Sequence, residues 1–124
     1  MNRPHTPRFL AVVAEAKTRV HEITTDDLKA LLARGEKPVI VDVREDSEYA
    51  AGHGAGAIHL GKGVIERDIE TEIPDAATLL VLYCGGGYRS ALATDAIQKM
   101  GYHNVLSLDG GWTAWQEAGL PVES

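Results

Sequence analysis

The fold of this chain is decided by the stretch Leu79-Leu80-Val81-Leu82-Tyr83-Cys84-Gly85-Gly86-Gly87-Tyr88-Arg89-Ser90. Its apolar half is continuous rather than alternating, which is typical of a strand covered on both faces in a parallel sheet. After Ser90 the apolar residues recur at helical spacing until Gly101, a natural helix stop. Cys84 is therefore predicted at the carboxyl end of a strand, facing a helix amino terminus. Ligands of open parallel sheets bind at that edge.

The three glycines after Cys84 predict a loop whose amides converge on the sulfur. A free thiol has a pKa of about 8.5, so a nucleophilic cysteine needs groups that stabilise its thiolate. Loop amides, the helix dipole and Arg89 can each do so. Glycine permits this convergence because it adopts positive φ and has no Cβ. We expect Cys84 to be a solvent-reachable nucleophile; the alternative is a buried structural thiol beside an ordinary turn.

Composition sets limits on the kind of protein. A length of 124 residues fits one domain with one core. The 12 basic and 18 acidic side chains give a net charge of −6, which argues against a nucleic-acid partner. A single cysteine excludes an internal disulfide and favours the cytoplasm. The apolar run near the amino end is too short for a signal peptide or a membrane span, so no membrane association is expected.

The rest of the chain alternates between predicted strands and helices, which indicates an α/β fold. Strands are predicted at 20–23, 39–44, 58–60 and 105–108, and helices after Thr6-Pro7, after Thr24, at 45–51, at 64–73 and around Trp112. Thr24 and Asp27 have the spacing of a capping box. Two helices are predicted to turn these side chains inward: Phe9, Leu10, Val13 and Ala16 in the first, and Leu28, Leu31 and Leu32 in the second.

Two other kinds of site, a phosphate-binding P-loop and a zinc site, are not supported by the residues. Gly56 to Lys62 matches a phosphate-binding P-loop, but Gly63 stands where a serine or threonine would bind magnesium. The five histidines lack the paired spacing of a zinc site, so no metal is expected. They are His5, His21, His53, His59 and His103.

Several short motifs together resemble the single-domain rhodanese family. They run in family order across residues 20–122: Asp42-Val43-Arg44, Glu48-Tyr49, Gly52-His53, Cys84 to Ser90, Asp109-Gly110-Gly111-Trp112, Trp115 and Gly119-Leu120-Pro121. The resemblance implies a five-stranded parallel sheet with helices on both faces. It places the domain at residues 20–124, after an amino-terminal helical extension at residues 1–19.

The resemblance also implies a sulfurtransferase without a cofactor. Cys84 would take a sulfur from a donor such as thiosulfate, hold it as a persulfide and pass it to cyanide, a thiol or a protein thiol. The sulfur would lie in a cradle made by Gly85, Gly86, Gly87, Tyr88, Arg89 and Ser90. Arg89 would either hold the donor or brace the loop against Glu48. The edges of the loop would be fixed by Asp42, Arg44 and His53. A monomer or weak homodimer is expected.

The sequence departs from the family pattern at two places. Gly54 and Ala55 replace the usual isoleucine and proline after His53. Family members often have a basic or polar residue just after the cysteine, whereas Gly85 and Gly86 carry no charge, which weakens the case for thiosulfate as the physiological donor. Two other functions compete with sulfur transfer. The first is a cysteine phosphatase or arsenate reductase, which would have five residues between its cysteine and its arginine, whereas four residues separate Cys84 from Arg89. The second is a non-enzymatic module that binds a protein partner.

Overall fold

The computed structural model describes residues 4–124, so the first three residues of the predicted extension lie outside the described part. The helices and strands follow each other in this order: α1 Pro7–Lys17, β1 His21–Ile23, α2 Thr25–Ala33, β2 Val39–Asp42, α3 Asp46–Ala51, β3 His53–Gly54, β4 Ile58–His59, α4 Ile65–Glu72, β5 Leu80–Tyr83, α5 Tyr88–Gln98, β6 Val105–Leu108, α6 Gly111–Glu117 and β7 Val122–Glu123. Each of the five predicted strands is confirmed, with its ends within one residue of the prediction except for β2, which ends two residues earlier than predicted.

Five strands form one parallel sheet in the order β1-β6-β5-β2-β4, which confirms the predicted α/β class. The strand that leads to Cys84, β5, lies at the centre and is buried along its whole length. Helices α4 and α5 cover one face, and α2 and α6 cover the other, with an apolar cluster on each side. The continuous apolar run is therefore explained by burial on both faces of the sheet.

Helix α2 begins with the predicted capping box. The backbone amide of Asp27 donates to the Thr24 hydroxyl at 3.1 Å, and the amide of Thr24 donates to the Asp27 carboxylate at 2.9 Å. These bonds use two amides that would otherwise lack a partner in the first turn. Leu28 and Leu31 are buried as predicted, but Leu32 is exposed. That prediction was wrong because the short helix turns a narrower face to the core than the apolar pattern suggested.

Helix α1 packs against α5. It buries Val13 and Ala16 as predicted, whereas Leu10 is exposed, so its predicted inward position was wrong. Beyond the end of the helix, Arg19 pairs with Asp95 of α5 at 2.8 Å. The Lys17 ammonium lies 5.3 Å from the ring centre of Tyr88, the first residue of α5. The amino-terminal helix is thus joined to the helix that follows Cys84.

A second sheet of two strands, β3 and β7, was not predicted from the sequence. Strand β7 near the carboxyl terminus runs antiparallel to β3, so that His53 lies opposite Glu123. The Ala55 amide donates to the Pro121 carbonyl oxygen at 2.9 Å, and the Gly56 amide donates to the Glu123 carboxylate at 2.9 Å. These bonds fix the turn after α3 to the end of the chain.

Candidate active site

Cys84 lies directly after the central strand β5, as predicted. The amide of Gly87 donates to its Sγ at 3.1 Å, and Sγ lies 3.6 Å from the Ser90 hydroxyl, to which the thiol donates. Gly87 has a φ of +101° and precedes the first residue of α5. A residue with a Cβ rarely adopts this conformation, so the glycine allows its amide to point at the sulfur. The first turn of α5 therefore closes around the cysteine.

The prediction that Cys84 is solvent-reachable is wrong for this structure, because the residue is only 1% exposed. Side chains alternate along β5 and beyond it, so Cys84 points to the same face as Leu82, into the apolar cluster beneath α4 and α5. The outer side of the loop is formed by Gly86, which is exposed, and Gly85, which is half-buried. Within residues 4–124 the amide that bonds to Sγ is that of Gly87. The sulfur is covered, yet the loop still directs an amide to it.

A second glycine turn, between β6 and α6, docks on the cysteine loop. The amide of Trp112 donates to the Cys84 carbonyl oxygen at 2.6 Å, and the amide of Thr113 donates to the Gly85 carbonyl oxygen at 3.3 Å. A Cβ at Gly111, where φ is +49°, would overlap the Cys84 carbonyl oxygen. The two turns therefore meet backbone to backbone, and glycine is what permits this approach. The sequence predicts this turn before a helix, but its contact with the cysteine loop has no local sequence signal.

Arg89 braces the loop against α3, which is one of the two roles predicted for it. Its guanidinium donates to both carboxylate oxygens of Glu48, at 2.8 Å and 3.2 Å. The hydrogen bond to Arg89 lowers the pKa of Glu48, and the same bond raises the pKa of Arg89. A Cβ at Gly85 would lie 3.1 Å from the Arg89 guanidinium, so the cation lies close beside the loop. One N–H of each terminal nitrogen of Arg89 is thereby used by Glu48.

Asp42 and Arg44 form a buried ion pair at the carboxyl end of β2. Arg44 donates to the Asp42 carboxylate at 2.7 to 3.1 Å, and the Tyr83 hydroxyl donates to the same carboxylate at 2.6 Å. Burial and the bond to Asp42 raise the pKa of Tyr83. Arg44 also donates to the Gly52 carbonyl oxygen at 2.7 Å and stacks 4.7 Å from the ring centre of Trp112. Through Trp112 this pair supports the turn that docks on Cys84.

His53 has a different set of contacts from those predicted. Its Nδ1 lies 2.8 Å from the Tyr49 carbonyl oxygen, its Nε2 lies 3.5 Å from the Glu123 carboxylate, and its ring stacks on Tyr49 at 3.7 Å. These contacts join α3 to β7, because β3 pairs with β7 and turns the imidazole to that side. In the described chain, the hydrogen bonds and ring contacts of His53 are made with this neighbouring turn rather than with the cysteine loop.

Gly54, one of the departures from the family pattern, is explained by a tight contact. A Cβ there would lie 2.6 Å from the ring of Trp115 in α6, and the Gly54 amide donates to the Tyr83 hydroxyl at 3.0 Å. A larger residue would push the turn away from both aromatic residues. The glycine therefore lets the turn pack closely on the core.

Two buried serines complete the surroundings of the sulfur, and one of them was missed. Ser90 and Ser107 are 0% exposed, and their hydroxyl oxygens lie 2.9 Å apart. Ser90 was predicted to contribute its amide, whereas the structure shows its side chain beside Sγ. The signal for Ser107 was a single polar residue within the otherwise apolar strand β6.

Other parts of the molecule offer less to this site. A cavity of about 460 Å³ lies near the opposite edge of the sheet, lined by residues such as Arg19, His21 and Asn104 around the starts of β1 and β6. From Pro4 onward, no three histidine, cysteine or acidic side chains lie close enough to hold a metal ion. The described helices include none long and apolar enough to cross a bilayer.

Comparison with known protein families identifies the fold. A sequence model of the rhodanese-like domain matches residues 24–118. The chain belongs to the rhodanese-like domain family. The matched region contains four of the five strands of the parallel sheet, all except β1, together with the cysteine loop and the turn that docks on it.

Two rhodanese-family relatives have names that state an activity. The thiosulfate sulfurtransferase GlpE of Pseudomonas entomophila is 41% identical over 88 residues, which are 71% of this chain and 79% of that protein. A sulfurtransferase of Allochromatium vinosum is 37% identical over 103 residues, which are 83% of this chain and 94% of that protein.

A solved structure from Rhodopseudomonas palustris resembles nearly the entire chain. It covers 99% of this chain and 99% of its own, with a TM-score of 0.80 and 33% identity. It is described as a protein of unknown function and a possible tyrosine phosphatase. The alignment extends beyond the residues matched by the rhodanese-like domain model and spans α1.

Proposed function

We propose that the protein is a sulfurtransferase that carries a sulfur atom on Cys84. Its family membership and its similarity to thiosulfate sulfurtransferases support this reaction class. The observation that carries the proposal is the hydrogen bond from the Gly87 amide to the Cys84 sulfur, at the end of a strand and the start of a helix. A partial positive charge there favours an anionic sulfur.

The reaction has two steps that return the enzyme to its starting state. The Cys84 thiolate attacks the outer sulfur of thiosulfate, the sulfur–sulfur bond breaks, and sulfite leaves with the bonding electron pair. The enzyme then holds a persulfide. Cyanide attacks the terminal sulfur, thiocyanate leaves, and the electron pair of the broken bond regenerates the thiolate. A thiol acceptor would replace cyanide and leave as a persulfide.

The loop residues would act on the terminal sulfur. Amides of Gly85, Gly86, Gly87, Tyr88, Arg89 and Ser90 supply the cradle in this proposal, while Arg89 keeps the loop in place through Glu48. Because Cys84 is covered, the donor reaches it only when the outer part of the loop moves. Gly85 and Gly86 form that part, and residues without side chains allow this movement. Asp42 and Arg44 support the turn that docks on the loop, whereas His53 joins α3 to β7.

We propose the chemical classes of the sulfur donor and of the sulfur acceptor. Thiosulfate is a dianion, and the nearby Arg89 already pairs with Glu48, so a less highly charged sulfur donor also suits this loop. The acceptor is cyanide, a small thiol or a protein thiol.

We further propose that the protein is a cytoplasmic monomer or weak homodimer. Its catalytic domain would comprise residues 20–124, and its extension residues 1–19.

Mass spectrometry of the intact protein tests the proposal. Thiosulfate is expected to add the mass of one sulfur atom to the wild-type protein, and cyanide is expected to remove it as thiocyanate. Cys84→Ser should gain no sulfur, because the chain has no other cysteine. No gain in the wild-type protein with thiosulfate or with a persulfide donor would favour a non-enzymatic module instead.

A phosphatase is the second candidate, because the Rhodopseudomonas palustris relative is described as a possible one. Two features oppose it here. Four residues separate Cys84 from Arg89, which narrows the ring of amides relative to a loop with five. Arg89 also makes both of its bonds to Glu48 rather than leaving them for an oxyanion. We expect negligible hydrolysis of an aryl phosphate, and hydrolysis that is lost in Cys84→Ser would establish the phosphatase.

A further inference from the structure

The sulfur of Cys84 stands at one end of a chain of two buried hydroxyl groups. Its Sγ lies 3.6 Å from the Ser90 oxygen, and that oxygen lies 2.9 Å from the Ser107 oxygen. Ser90 is in the first turn of α5, whereas Ser107 is in β6, next to Leu82 of the central strand. Both serines are 0% exposed, so bulk water does not reach their hydroxyl groups.

We propose that Ser107 is a positioning residue for Cys84, which acts by orienting the Ser90 hydroxyl towards the sulfur. This inference rests on the proposed sulfur-transfer function and concerns the same site. Ser107 does not touch the substrate. It controls which way the hydroxyl between it and the sulfur points.

The chain of hydroxyls can reverse its direction without moving a heavy atom. In the thiol state, Cys84 donates to Ser90, and Ser90 donates to Ser107. In the thiolate state, after water has taken the proton, the sulfur only accepts. Ser107 then donates to Ser90, and Ser90 donates to Cys84. The 2.9 Å distance between the serine oxygens allows either one to be the donor.

Loss of the Ser107 hydroxyl removes one hydrogen bond in each state, but the two bonds differ in strength. The bond lost in the thiol state joins neutral groups. The bond lost in the thiolate state is polarised by the neighbouring anion, and hydrogen bonds in such a chain strengthen one another. The thiolate is therefore destabilised more than the thiol. We expect the titration of Cys84 to shift to higher pH.

Other charged groups also face the cysteine loop. They are Arg89 and Glu48 across the loop, Asp42 and Arg44 below the docked turn, Asp109 in that turn, and His5 and Lys17 of the amino-terminal segment beside Tyr88. None of them changes in the variants described next. A difference between variants therefore reports on the hydroxyl chain.

The test is a pH titration of the ultraviolet absorbance of the thiolate, with Cys84→Ser as the baseline. This measurement needs no reagent to reach the covered sulfur. Ser107→Ala is expected to raise the midpoint by about 0.5 to 1 pH unit, a three- to tenfold loss of thiolate below the midpoint. The rate of sulfur loading, measured below the wild-type midpoint, should fall by a similar factor. An unchanged or lowered midpoint would overturn the inference.

Thr94 provides a matched control on the same helix. It is 0% exposed, and its hydroxyl oxygen has no hydrogen-bond partner among the described residues. Thr94→Val removes a buried hydroxyl that does not belong to the chain, so its midpoint should equal that of the wild type. A shift as large as that of Ser107→Ala would show that any buried hydroxyl has the same effect, and would also overturn the inference.

A second pair of variants separates the hydroxyl from side-chain volume, and serves if Ser107→Ala folds poorly. Ser107→Thr keeps the hydroxyl, and Ser107→Val has nearly the same shape without it. The valine variant should titrate at higher pH than the threonine variant, and equal midpoints would contradict the inference. If the wild type titrates as expected but gains no sulfur, the proposed function fails while this hydrogen-bond chain stands.

Discussion

Replacing Gly111 by alanine should separate the docked turn from the cysteine loop. At this position φ is +49°, and the added Cβ would overlap the Cys84 carbonyl oxygen and lie 2.9 Å from the carbonyl carbon of Gly85. Both contacts are with backbone, so no side-chain rotation relieves them. Gly119 provides the control, because its φ is +73° but nothing lies within 4 Å of an added Cβ.

The expected loss of stability follows from two contributions. A residue other than glycine in the left-handed region costs about 1–2 kcal/mol, and both variants carry this cost. Only Gly111→Ala must also move α6 away from the loop, which breaks the bonds from Trp112 to Cys84 and from Thr113 to Gly85. Each is worth about 1 kcal/mol. We therefore expect a loss of about 1–2 kcal/mol for Gly119→Ala and about 3–4 kcal/mol for Gly111→Ala.

Urea unfolding of both variants measures this difference, and mass spectrometry measures how fast Cys84 acquires sulfur. Loading should slow by about tenfold or more in Gly111→Ala, because the loop around the nucleophile shifts, and should be unchanged in Gly119→Ala. Equal losses of stability would refute the steric argument. A large loss of stability in Gly111→Ala with normal loading in the folded fraction would show that the docked turn does not position the cysteine.

Two further predictions concern the supports of the loop. Because Arg89 lowers the pKa of Glu48, the stabilisation from this pair is fully present above the carboxylate's ordinary pKa and is lost as pH falls through its lowered value. Glu48→Gln should remove that part of the acid dependence in urea unfolding at pH 3 to 7, and an unchanged pH profile would contradict the brace. Tyr83→Phe leaves the buried amide of Gly54 and one oxygen of Asp42 without their hydroxyl partner. It should lower the unfolding free energy by about 1–3 kcal/mol, whereas a change below 0.5 kcal/mol would contradict this.

Local patterns in the sequence predicted the elements and the position of Cys84 well. The apolar run of β5 and the glycines after it have one simple arrangement, a strand followed by a tight loop and a helix. The capping box at Thr24 was also readable, because it depends on residues three apart. Contacts between segments that are far apart in the chain could not be predicted in this way. The docking of Gly111 on Cys84 and the hydroxyl pair of Ser90 and Ser107 appear only when the strands are in register.

Burial was the harder quantity to predict from residue types. Leu32 is exposed although leucine is typically buried, and Asp42 and Arg44 are buried although charged residues rarely are. The two charges satisfy each other, which a list of separate residues does not show. Cys84 was expected to be reachable because nucleophiles usually are. The alternation of side chains along β5 instead directs it into the core beneath α5.

The covered position of the chain's single thiol has a consequence for handling the protein in air. A disulfide between two copies needs Cα atoms about 4.4–6.8 Å apart, which two covered cysteines reach only if both loops open at once. A small oxidant such as peroxide needs only one loop to open. Ageing of a purified sample should therefore produce monomers with added oxygen on Cys84 before it produces covalent dimers.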